Sequence, residues 1–472
     1  MENRPPLLGA LPRVLGDYAE RGCARFHMPG HKARGLGGFF RESLAGWDVT
    51  ELSMTDDLHQ PEGVLRRTAE QYRRAYGAQD SFLSVGGSSL AVQAMILSLS
   101  QTDKLLLGRD CHKSAIAGAI LSGIDLDFFD PVYDGTLGMT GLPTPEEADA
   151  ALAQTGATAL LVTSPNAYGF CADIPALAET AHRHGALLLV DAAHGAHFPF
   201  SPLLPRPVGG FADLWSHSQH KTMNALTQAA TLHLGRCRIA PETVQRQLSL
   251  LETSSPSYLL LSSLDWALHT ARRQDWSAHA KRCAALSEVI SGMAGLSVLH
   301  TPALRGAVEH DITRLVIDVS GRGISGYRAR TVLEAENIFI EMADARRLVL
   351  ITSPEDDPAW YPRLLDALQR LPYENRRVTL PEPRQFAPQR CLSLREAALA
   401  DQELLPLADA GGRIAGAAVG LYPPGIAAVT PGERFSQEII DALLASETAG
   451  AALFGAQGGC VSVVKESGPK HE

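Results

Sequence analysis

The chain has 472 residues, of which 45% are hydrophobic and 20% are charged, and its formal net charge is −10. These proportions are close to the average of folded globular proteins and exclude a largely disordered or fibrous chain. Because the balance is acidic and no block of like charge stands out, nucleic acid is not expected as a partner.

No stretch of the sequence approaches the roughly 18 apolar residues that a membrane-spanning helix needs. The first twenty residues mix apolar with charged positions and lack the apolar core of a secretory signal. We therefore predict a cytoplasmic protein without a membrane segment. The seven cysteines include no C-x-x-C pair, so neither a disulfide framework nor a structural zinc site is predicted.

From about residue 80 to 235, short apolar runs alternate with helical segments. This alternation is typical of an α/β domain built on a parallel sheet. One helix is predicted to begin at Thr144-Pro145 and end near Gly156, and another to run from Pro175 to His184. The strands predicted in this region are KLLLG (104–108), TALLVTSP (158–165) and ALLLV (186–190).

The second half of the chain is predicted to form smaller units. Residues 240–295 carry mainly helical signals, whereas TRLVIDVS (313–320) and RRLVLITS (346–353) are typical of strands in a second α/β unit. A Pro- and Arg-rich stretch over residues 380–384 indicates a linker. The predicted domains are an N-terminal helical arm (1–25), a large domain (26–300), a small α/β domain (301–380) and a C-terminal domain (381–472).

Polar side chains follow the predicted strands, at the edge where parallel sheets bind ligands. Asp191 follows the strand ALLLV, and His112 lies shortly after KLLLG. Lys221 lies in WSHSQHKT (215–222), which follows another apolar stretch. The loop GGSS (86–89) precedes a predicted helix, whose free N–H groups can bind a phosphate.

These residues match the parts of a pyridoxal phosphate (PLP) site. A lysine with a lowered pKa forms a Schiff base with the cofactor. The negative charge of an aspartate keeps the pyridinium nitrogen protonated, so that the ring accepts electrons from the substrate. Taken separately, each feature is more often structural, because most lysines are solvated and a GGSS loop is an ordinary helix start.

Several segments, in their order along the chain, resemble the Orn/Lys/Arg decarboxylases, which are PLP enzymes of the aspartate-aminotransferase fold (fold type I). The most specific is SQHKTMNALTQAA (218–230), around Lys221. The chain length resembles the short bacterial arginine, lysine and ornithine decarboxylases, which lack an N-terminal wing domain. The other segments are FHMPGHK (26–32), DVTEL (48–52), DDLHQPEG (56–63), HKS (112–114), DAAHGAH (191–197), TSSPSY (253–258), YPPGI (422–426) and PGE (431–433).

The resemblance implies a fold type I large domain that binds PLP, followed by smaller α/β C-terminal domains. It implies that Lys221 is the Schiff-base lysine, that Asp191 pairs with the pyridinium nitrogen and that His112 stacks on the ring. Because family members place the active site at a dimer interface, Ser255 is expected to reach the partner's cofactor in a homodimer or higher homo-oligomer. The residues implied to bind the rest of the cofactor are Gly87, Ser88, Ser89, His194, Ser218 and His220.

The implied reaction is decarboxylation of a basic amino acid, arginine first and then lysine or ornithine. The distal cation of such a substrate needs a carboxylate partner. The first candidate is Glu433, followed by Asp56, Asp57 and Glu62. For each of them, a solvated charge or a helix cap explains the residue at least as well as a contact with substrate. The chain departs from the family pattern at Gly86, where relatives often carry Asn, and at Ala427-Ala428, where many carry Pro-Leu.

Three alternative interpretations remain open. A PLP enzyme of this fold could instead catalyse amino transfer or a lyase step on another amino acid. A PLP-binding protein without turnover would not need the complete set of site residues. A metal hydrolase is suggested by His194, His197, His217 and His220, but no H-E-x-x-H spacing is present and no metal site is predicted.

Overall fold

The structure is a computed structural model that describes residues 18–38, 40, 44–300, 304–374, 386, 388–422 and 425–466. The helices are α1 (Leu44–Trp47), α2 (Val64–Tyr76), α3 (Gly87–Leu97), α4 (Lys113–Ser122), α5 (Pro145–Thr155), α6 (Ile174–Arg183), α7 (Gln219–Thr222), α8 (Pro241–Leu251), α9 (Tyr258–Ala271), α10 (Trp276–Ser291), α11 (Gly326–Ala335), α12 (Trp360–Gln369), α13 (Leu394–Leu399) and α14 (Gln437–Thr448).

The strands are likewise numbered in chain order. They are β1 (Ala24–Phe26), β2 (Asp80–Ser84), β3 (Lys104–Gly108), β4 (Asp125–Phe129), β5 (Tyr133–Asp134), β6 (Met139–Thr140), β7 (Ala159–Thr163), β8 (Phe170–Ala172), β9 (Leu187–Asp191), β10 (Leu214–His217), β11 (Ala230–Leu234), β12 (Ser297–Val298), β13 (Ala307–His310), β14 (Arg314–Asp318), β15 (Ile338–Ile340), β16 (Met342–Ala343), β17 (Arg347–Ile351), β18 (Gln402–Pro406), β19 (Val419–Tyr422), β20 (Ile426–Val429), β21 (Ala452–Phe454), β22 (Ala456–Gln457) and β23 (Cys460–Val464).

A seven-stranded sheet forms the centre of the larger unit, in the order β2-β11-β10-β9-β7-β3-β4. Neighbouring strands from β10 to β4 are parallel, whereas β11 is antiparallel to both β10 and β2. The predicted parallel sheet is therefore a mixed one. A parallel return needs a long crossover, usually a full helix, and the connection from β10 to β11 contains the four-residue helix α7 instead.

Strands β3, β7 and β9 consist mainly of apolar residues, and both of their faces are buried. In β9, Leu188 belongs to one hydrophobic cluster, whereas Leu187 and Leu189 belong to a second cluster on the other face. A parallel sheet covered on both faces requires such unbroken apolar runs. All three strands predicted in this region are confirmed, as β3, β7 and β9.

The two helices predicted in this region are also confirmed. The Thr144 hydroxyl accepts a hydrogen bond from the backbone N–H of Glu147, and the Glu147 carboxylate accepts one from the backbone N–H of Thr144. This capping box satisfies two N–H groups that the start of α5 leaves unpaired. Gly156 ends α5 in the left-handed conformation, with φ 64°. Helix α6 begins at Ile174, one position before its predicted start.

A smaller unit is built on the sheet β12-β14-β17-β16, in which all neighbours are antiparallel. Helices α10, α11 and α12 contribute to its hydrophobic cluster. Strands β14 and β17 confirm the two strands predicted in this part of the chain. Strand β1 pairs in parallel with β15 of this unit, so the beginning of the described chain packs with its later half.

The C-terminal part contains two three-stranded sheets, β18-β23-β22 and β20-β19-β21, which share a hydrophobic cluster with α14. The predicted linker over 380–384 and residues 1–17 of the predicted arm lie outside the described residues. The predicted domain boundaries therefore stay predictions. Within the described ranges, no helix is long and apolar enough to cross a membrane.

Candidate active site

The parallel strands bring the predicted site residues to one edge of the central sheet. Asp191 is the last residue of β9, and His112 lies in the loop between β3 and α4. Lys221 lies in α7, which follows β10. Because β3, β9 and β10 run in the same direction, their carboxyl ends share the edge at which α/β sheets bind ligands.

Lys221 is the central residue of the site. Its Nζ lies 3.0 Å from Nε2 of His194. Burial lowers the pKa of Lys221, and the positive charge of Arg314 lowers it further, against the opposing effects of Asp191 and Glu341. A lowered pKa leaves more of the amine unprotonated at neutral pH, and the unprotonated amine is the form that attacks a carbonyl.

Backbone contacts orient Asp191 and His112. Oδ1 of the buried Asp191 accepts a hydrogen bond from the backbone N–H of Ala193 at 3.1 Å. Nδ1 of His112 accepts one from the backbone N–H of Ser114 at 3.2 Å and so caps α4. Burial lowers the pKa of His112. The charge of Asp191 raises this pKa, and that of Lys221 lowers it. These three groups therefore lie within electrostatic range of one another.

The predicted phosphate loop lies at the start of α3. Gly87 is the first residue of the helix and has φ +76°, a conformation that L side chains rarely adopt. Gly86, which precedes it, has no side chain with which to cap the helix. The first N–H groups of a helix without a cap are suited to an anion. Of the two hydroxyl residues that follow, Ser88 is half-buried and Ser89 is exposed.

Ser218 and His220 lie on either side of Gln219, in the segment that leads to Lys221. Ser218 is fully buried, and its Oγ lies 3.1 Å from Nδ1 of His220. Burial lowers the pKa of His220 to about 4, and Lys221 contributes in the same direction. His220 is therefore neutral at physiological pH, with one ring nitrogen that donates a hydrogen bond and one that accepts.

The segment HMPGHK (27–32) packs against α7, the short helix that contains Lys221 and is called the lysine helix below. The sequence alone predicts no role for this segment in the site. The backbone N–H of Gly30 donates to the carbonyl of His220 at 2.8 Å, and the Gly30 carbonyl accepts from the Ser353 hydroxyl at 2.7 Å. A Cβ on Gly30 would lie 2.4 Å from the carbonyl carbon of Thr222. Glycine is required for this approach, which links the lysine helix to the smaller unit.

Lys32 attaches the same segment to the smaller sheet. Its buried Nζ donates to the carbonyls of His27 and Ile351, both at 2.8 Å, and lies 4.0 Å from the Asp356 carboxylate. Desolvation lowers the pKa of Lys32 to about 8 and raises that of Asp356 to about 6. No local pattern signals this contact, because Ile351 lies 319 positions further along the chain.

The substrate candidates Asp56 and Asp57 lie in the turn before α2. The Asp56 carboxylate accepts hydrogen bonds from four backbone N–H groups, among them those of Gly63 and Leu65. Desolvation raises the pKa of Asp56, but the four hydrogen bonds together lower it by more, so the net shift is downward. Asp57 accepts from the backbone N–H of His59 at 2.8 Å. Backbone donors thus already bind both carboxylates, and a contact with substrate stays a prediction.

Glu433, the first substrate candidate, forms a buried ion pair. Its carboxylate oxygens lie 3.0 and 3.2 Å from two guanidinium nitrogens of Arg109, and Glu433 is only 1% exposed. One oxygen also accepts from the backbone N–H of Thr430 at 2.8 Å. Arg109 contacts a second carboxylate, that of Asp130, at 2.9 Å. This bidentate pairing joins the loop after β3 to the C-terminal unit, so any substrate role of Glu433 stays a prediction.

Glu433→Ala is expected to lower the free energy of unfolding by about 3 kcal/mol, because it leaves the Arg109 guanidinium without its buried partner. Asp130→Ala removes the more exposed partner of the same arginine and is expected to cost at most about 1 kcal/mol. Urea denaturation of both variants measures the difference. Wild-type stability of Glu433→Ala together with a raised KM would instead assign Glu433 to the substrate.

The four histidines that suggested a metal site have separate partners. His197 pairs with Asp311 at 3.1 Å, and the His217 ring packs against those of Tyr76 and His233. Among the described residues, no group of three or more His, Cys, Asp or Glu side chains is arranged to hold a metal ion.

Ser255, the residue expected to reach the partner's cofactor, is exposed in the loop between α8 and α9.

Two family models match the sequence. The Orn/Lys/Arg decarboxylase major domain matches residues 5–294, and the Orn/Lys/Arg decarboxylase C-terminal domain matches residues 378–462. The chain is 32% identical to an arginine decarboxylase of Bacillus subtilis, over 96% of each chain. It is 31% identical to an arginine decarboxylase of Bacillus anthracis, over 91% of each chain.

The fold is similar to that of the constitutive lysine decarboxylase of E. coli, with a TM-score of 0.75. This similarity covers 96% of the present chain and 81% of the other at 18% sequence identity, and it supports the fold alone. The predicted fold type I architecture and the predicted decarboxylase class are confirmed. Both family models and the near full-length similarity show that the chain belongs to the Orn/Lys/Arg decarboxylase family.

Proposed function

We propose that this decarboxylase uses pyridoxal phosphate and acts on arginine, with lysine and ornithine as the next candidates. The proposal rests on Lys221, whose Nζ is 3.0 Å from His194 and within electrostatic range of Asp191 at the ligand-binding edge of the sheet. The near full-length similarity to two arginine decarboxylases supports arginine as the substrate.

The residues at this edge fit the cofactor. Lys221 would bind its aldehyde carbon, Asp191 would hold the proton of its ring nitrogen and His112 would lie against the ring. The uncapped start of α3 provides N–H donors suited to a phosphate, and His194 would lie beside the ring through its contact with Lys221. The residues proposed to hold the phosphate are Gly87, Ser88, Ser89, Ser218 and His220.

When bound, pyridoxal phosphate supplies an electron sink for the electron pair left behind as carbon dioxide departs. The chain itself supplies charge and protons. Asp191, which is buried at the end of β9, would hold its carboxylate against the ring nitrogen and stabilise the proton there. Lys221 Nζ lies within hydrogen-bond distance of His194 Nε2, so His194 would hold the amine in place, and Lys221 would deliver a proton to the product carbon.

Recognition of arginine requires a carboxylate for the guanidinium, which binds carboxylates in a bidentate manner. Glu433, Asp56 and Asp57 remain the proposed partners from the motifs. Glu341 is a further candidate, because its charge raises the pKa of Lys221. One of its oxygens accepts from the backbone N–H of Met28 at 2.9 Å, and within the described residues the other oxygen forms no hydrogen bond, so it could bind a ligand.

We also propose that the enzyme is a homodimer with Ser255 near the interface. The loop that contains Ser255 packs on the segment before α2, where Nε2 of His59 lies 3.0 Å from the carbonyl oxygen of Thr253. The same segment exposes two large apolar side chains, Leu52 and Met54, the latter 77% exposed. Exposed apolar side chains beside this loop fit a surface that another chain covers.

The proposed function is tested by incubating the PLP-loaded protein with equimolar arginine, lysine and ornithine and measuring the amines by mass spectrometry. Agmatine is expected as the dominant product, with Lys221→Ala as the inactive control. Dominant cadaverine or putrescine would change the substrate but keep the reaction. A keto acid without any amine would contradict decarboxylation and favour amino transfer, which the same fold and cofactor also support.

A further inference from the structure

Arg314 connects the smaller sheet to the site. It is the first residue of β14 and is 1% exposed. Its Nη1 donates to the carbonyl of Ala167 at 3.2 Å, and its Nη2 lies 3.0 Å from Nδ1 of His194. The other ring nitrogen of His194, Nε2, faces Lys221 Nζ at 3.0 Å. The three side chains thus form a continuous chain of hydrogen-bonding groups.

The chemistry of arginine assigns the protons in this chain. A guanidinium only donates hydrogen bonds, so Nδ1 of His194 must accept the bond from Arg314. A neutral imidazole with an accepting Nδ1 carries its hydrogen on Nε2. The Nε2–H group then points at Lys221 Nζ, which can accept the bond only through the lone pair of a neutral amine. An ammonium has no lone pair and would meet a donor.

We propose that Arg314 is a positioning residue that fixes His194 as the Nε2–H tautomer and thereby holds Lys221 as a neutral amine before the cofactor attaches. The inference rests on the proposed function, because only a lysine that attacks the cofactor aldehyde needs this state. His194 is then the link through which the smaller unit acts on the lysine.

The charged surroundings of the pair agree in direction. Burial lowers the pKa of His194, and Lys221, Arg314, His112 and His220 lower it further whenever they carry a positive charge, which keeps the imidazole neutral. For Lys221, burial and Arg314 favour the neutral amine, whereas Asp191 and Glu341 favour the ammonium. Removing Arg314 therefore raises the pKa of Lys221 in two ways. The lysine loses a positively charged neighbour, and His194 is no longer held as the Nε2–H tautomer, so its Nε2 can accept a hydrogen bond from the ammonium.

The test uses the full chain freed of cofactor. The pH dependence of Lys221 acetylation by trace acetic anhydride, read by peptide mass spectrometry, gives the midpoint at which the amine loses its proton. In Arg314→Met this midpoint is expected to rise by about one pH unit, which is about tenfold less neutral amine at pH 7. Arg347→Met removes another buried arginine from the neighbouring strand, where its Nη1 pairs with Asp344 at 3.0 Å, and is expected to keep the wild-type midpoint.

An unchanged midpoint in Arg314→Met, or an equal rise in Arg347→Met, would overturn the inference. Nitrogen-15 NMR of the histidine rings in the cofactor-free wild-type protein provides a second measurement, which does not depend on the folding of Arg314→Met. The Nε2–H tautomer is expected for His194, assigned by its loss in His194→Gln, and an Nδ1–H tautomer would overturn the inference. Failure to trap PLP on Lys221 with borohydride would instead contradict the proposed function and leave the tautomer result standing.

Discussion

Lys221→Ala is expected to lower kcat by about 10²–10⁴-fold, the contribution of one positioned acid–base group. The substitution removes the amine that would hold the cofactor aldehyde and the proton donor that faces His194 at 3.0 Å. Covalent attachment is therefore expected to disappear, and turnover is expected to fall by that factor. Borohydride reduction followed by peptide mass spectrometry detects the attachment, and amine production from arginine measures the turnover.

Lys281→Ala is the matched control for this substitution. Lys281 is an exposed lysine of α10, and its removal is expected to leave both readouts at the wild-type level. The strongest competing nucleophile is Lys32, whose buried amine has a pKa lowered to about 8 by desolvation. Cofactor trapped at Lys32 in the Lys221→Ala protein, with turnover retained, would show that the wrong lysine has been assigned.

Asp191→Asn is expected to lower kcat by about 10²–10³-fold, the size of effect seen when one preorganised electrostatic group is removed. The amide keeps the shape of the side chain but removes the charge that would keep the ring nitrogen protonated. Because the carboxylate raises the pKa of Lys221 and of His112, both pKa values are expected to fall in the variant. This direction is opposite to that expected for Arg314→Met.

A suitable control is Asp213→Asn. Asp213 is also buried and immediately precedes β10, at the edge opposite the site, where it accepts from the backbone N–H of Leu188 and contacts His182. Its loss is expected to reduce stability while leaving kcat per folded molecule close to wild type. Equal losses of kcat in the two variants would mean that Asp191 acts through the sheet and has no direct part in the reaction.

The sequence predicts the residues that lie at strand ends better than those that act across the fold. Lys221, Asp191 and His112 follow apolar runs, and parallel strands necessarily bring such positions to one edge. Their placement therefore needs only the local pattern and the direction of the strands. The antiparallel strand β11 was not predicted, because its direction depends on how the chain turns after the lysine helix.

Contacts between residues that lie far apart in the sequence could not be predicted from the sequence patterns. Arg314 begins an ordinary apolar strand and gives no local sign that its guanidinium reaches His194. The pairing of Glu433 with Arg109 joins residues 324 positions apart, so no sequence pattern predicts that this proposed substrate carboxylate binds an arginine of the chain. Such partners are set by tertiary packing and come together only in the folded chain.

The contacts of the first described segment bear on how this protein is made. Strand β1 pairs with β15, and Gly30 binds both His220 and Ser353. During synthesis, the lysine helix therefore leaves the ribosome well before the smaller unit that contains β15 and Ser353 has been made. Closing so long a loop is entropically costly, and folds with such distant contacts form slowly. The pocket around Lys221 is thus completed late, after the smaller unit has been synthesised.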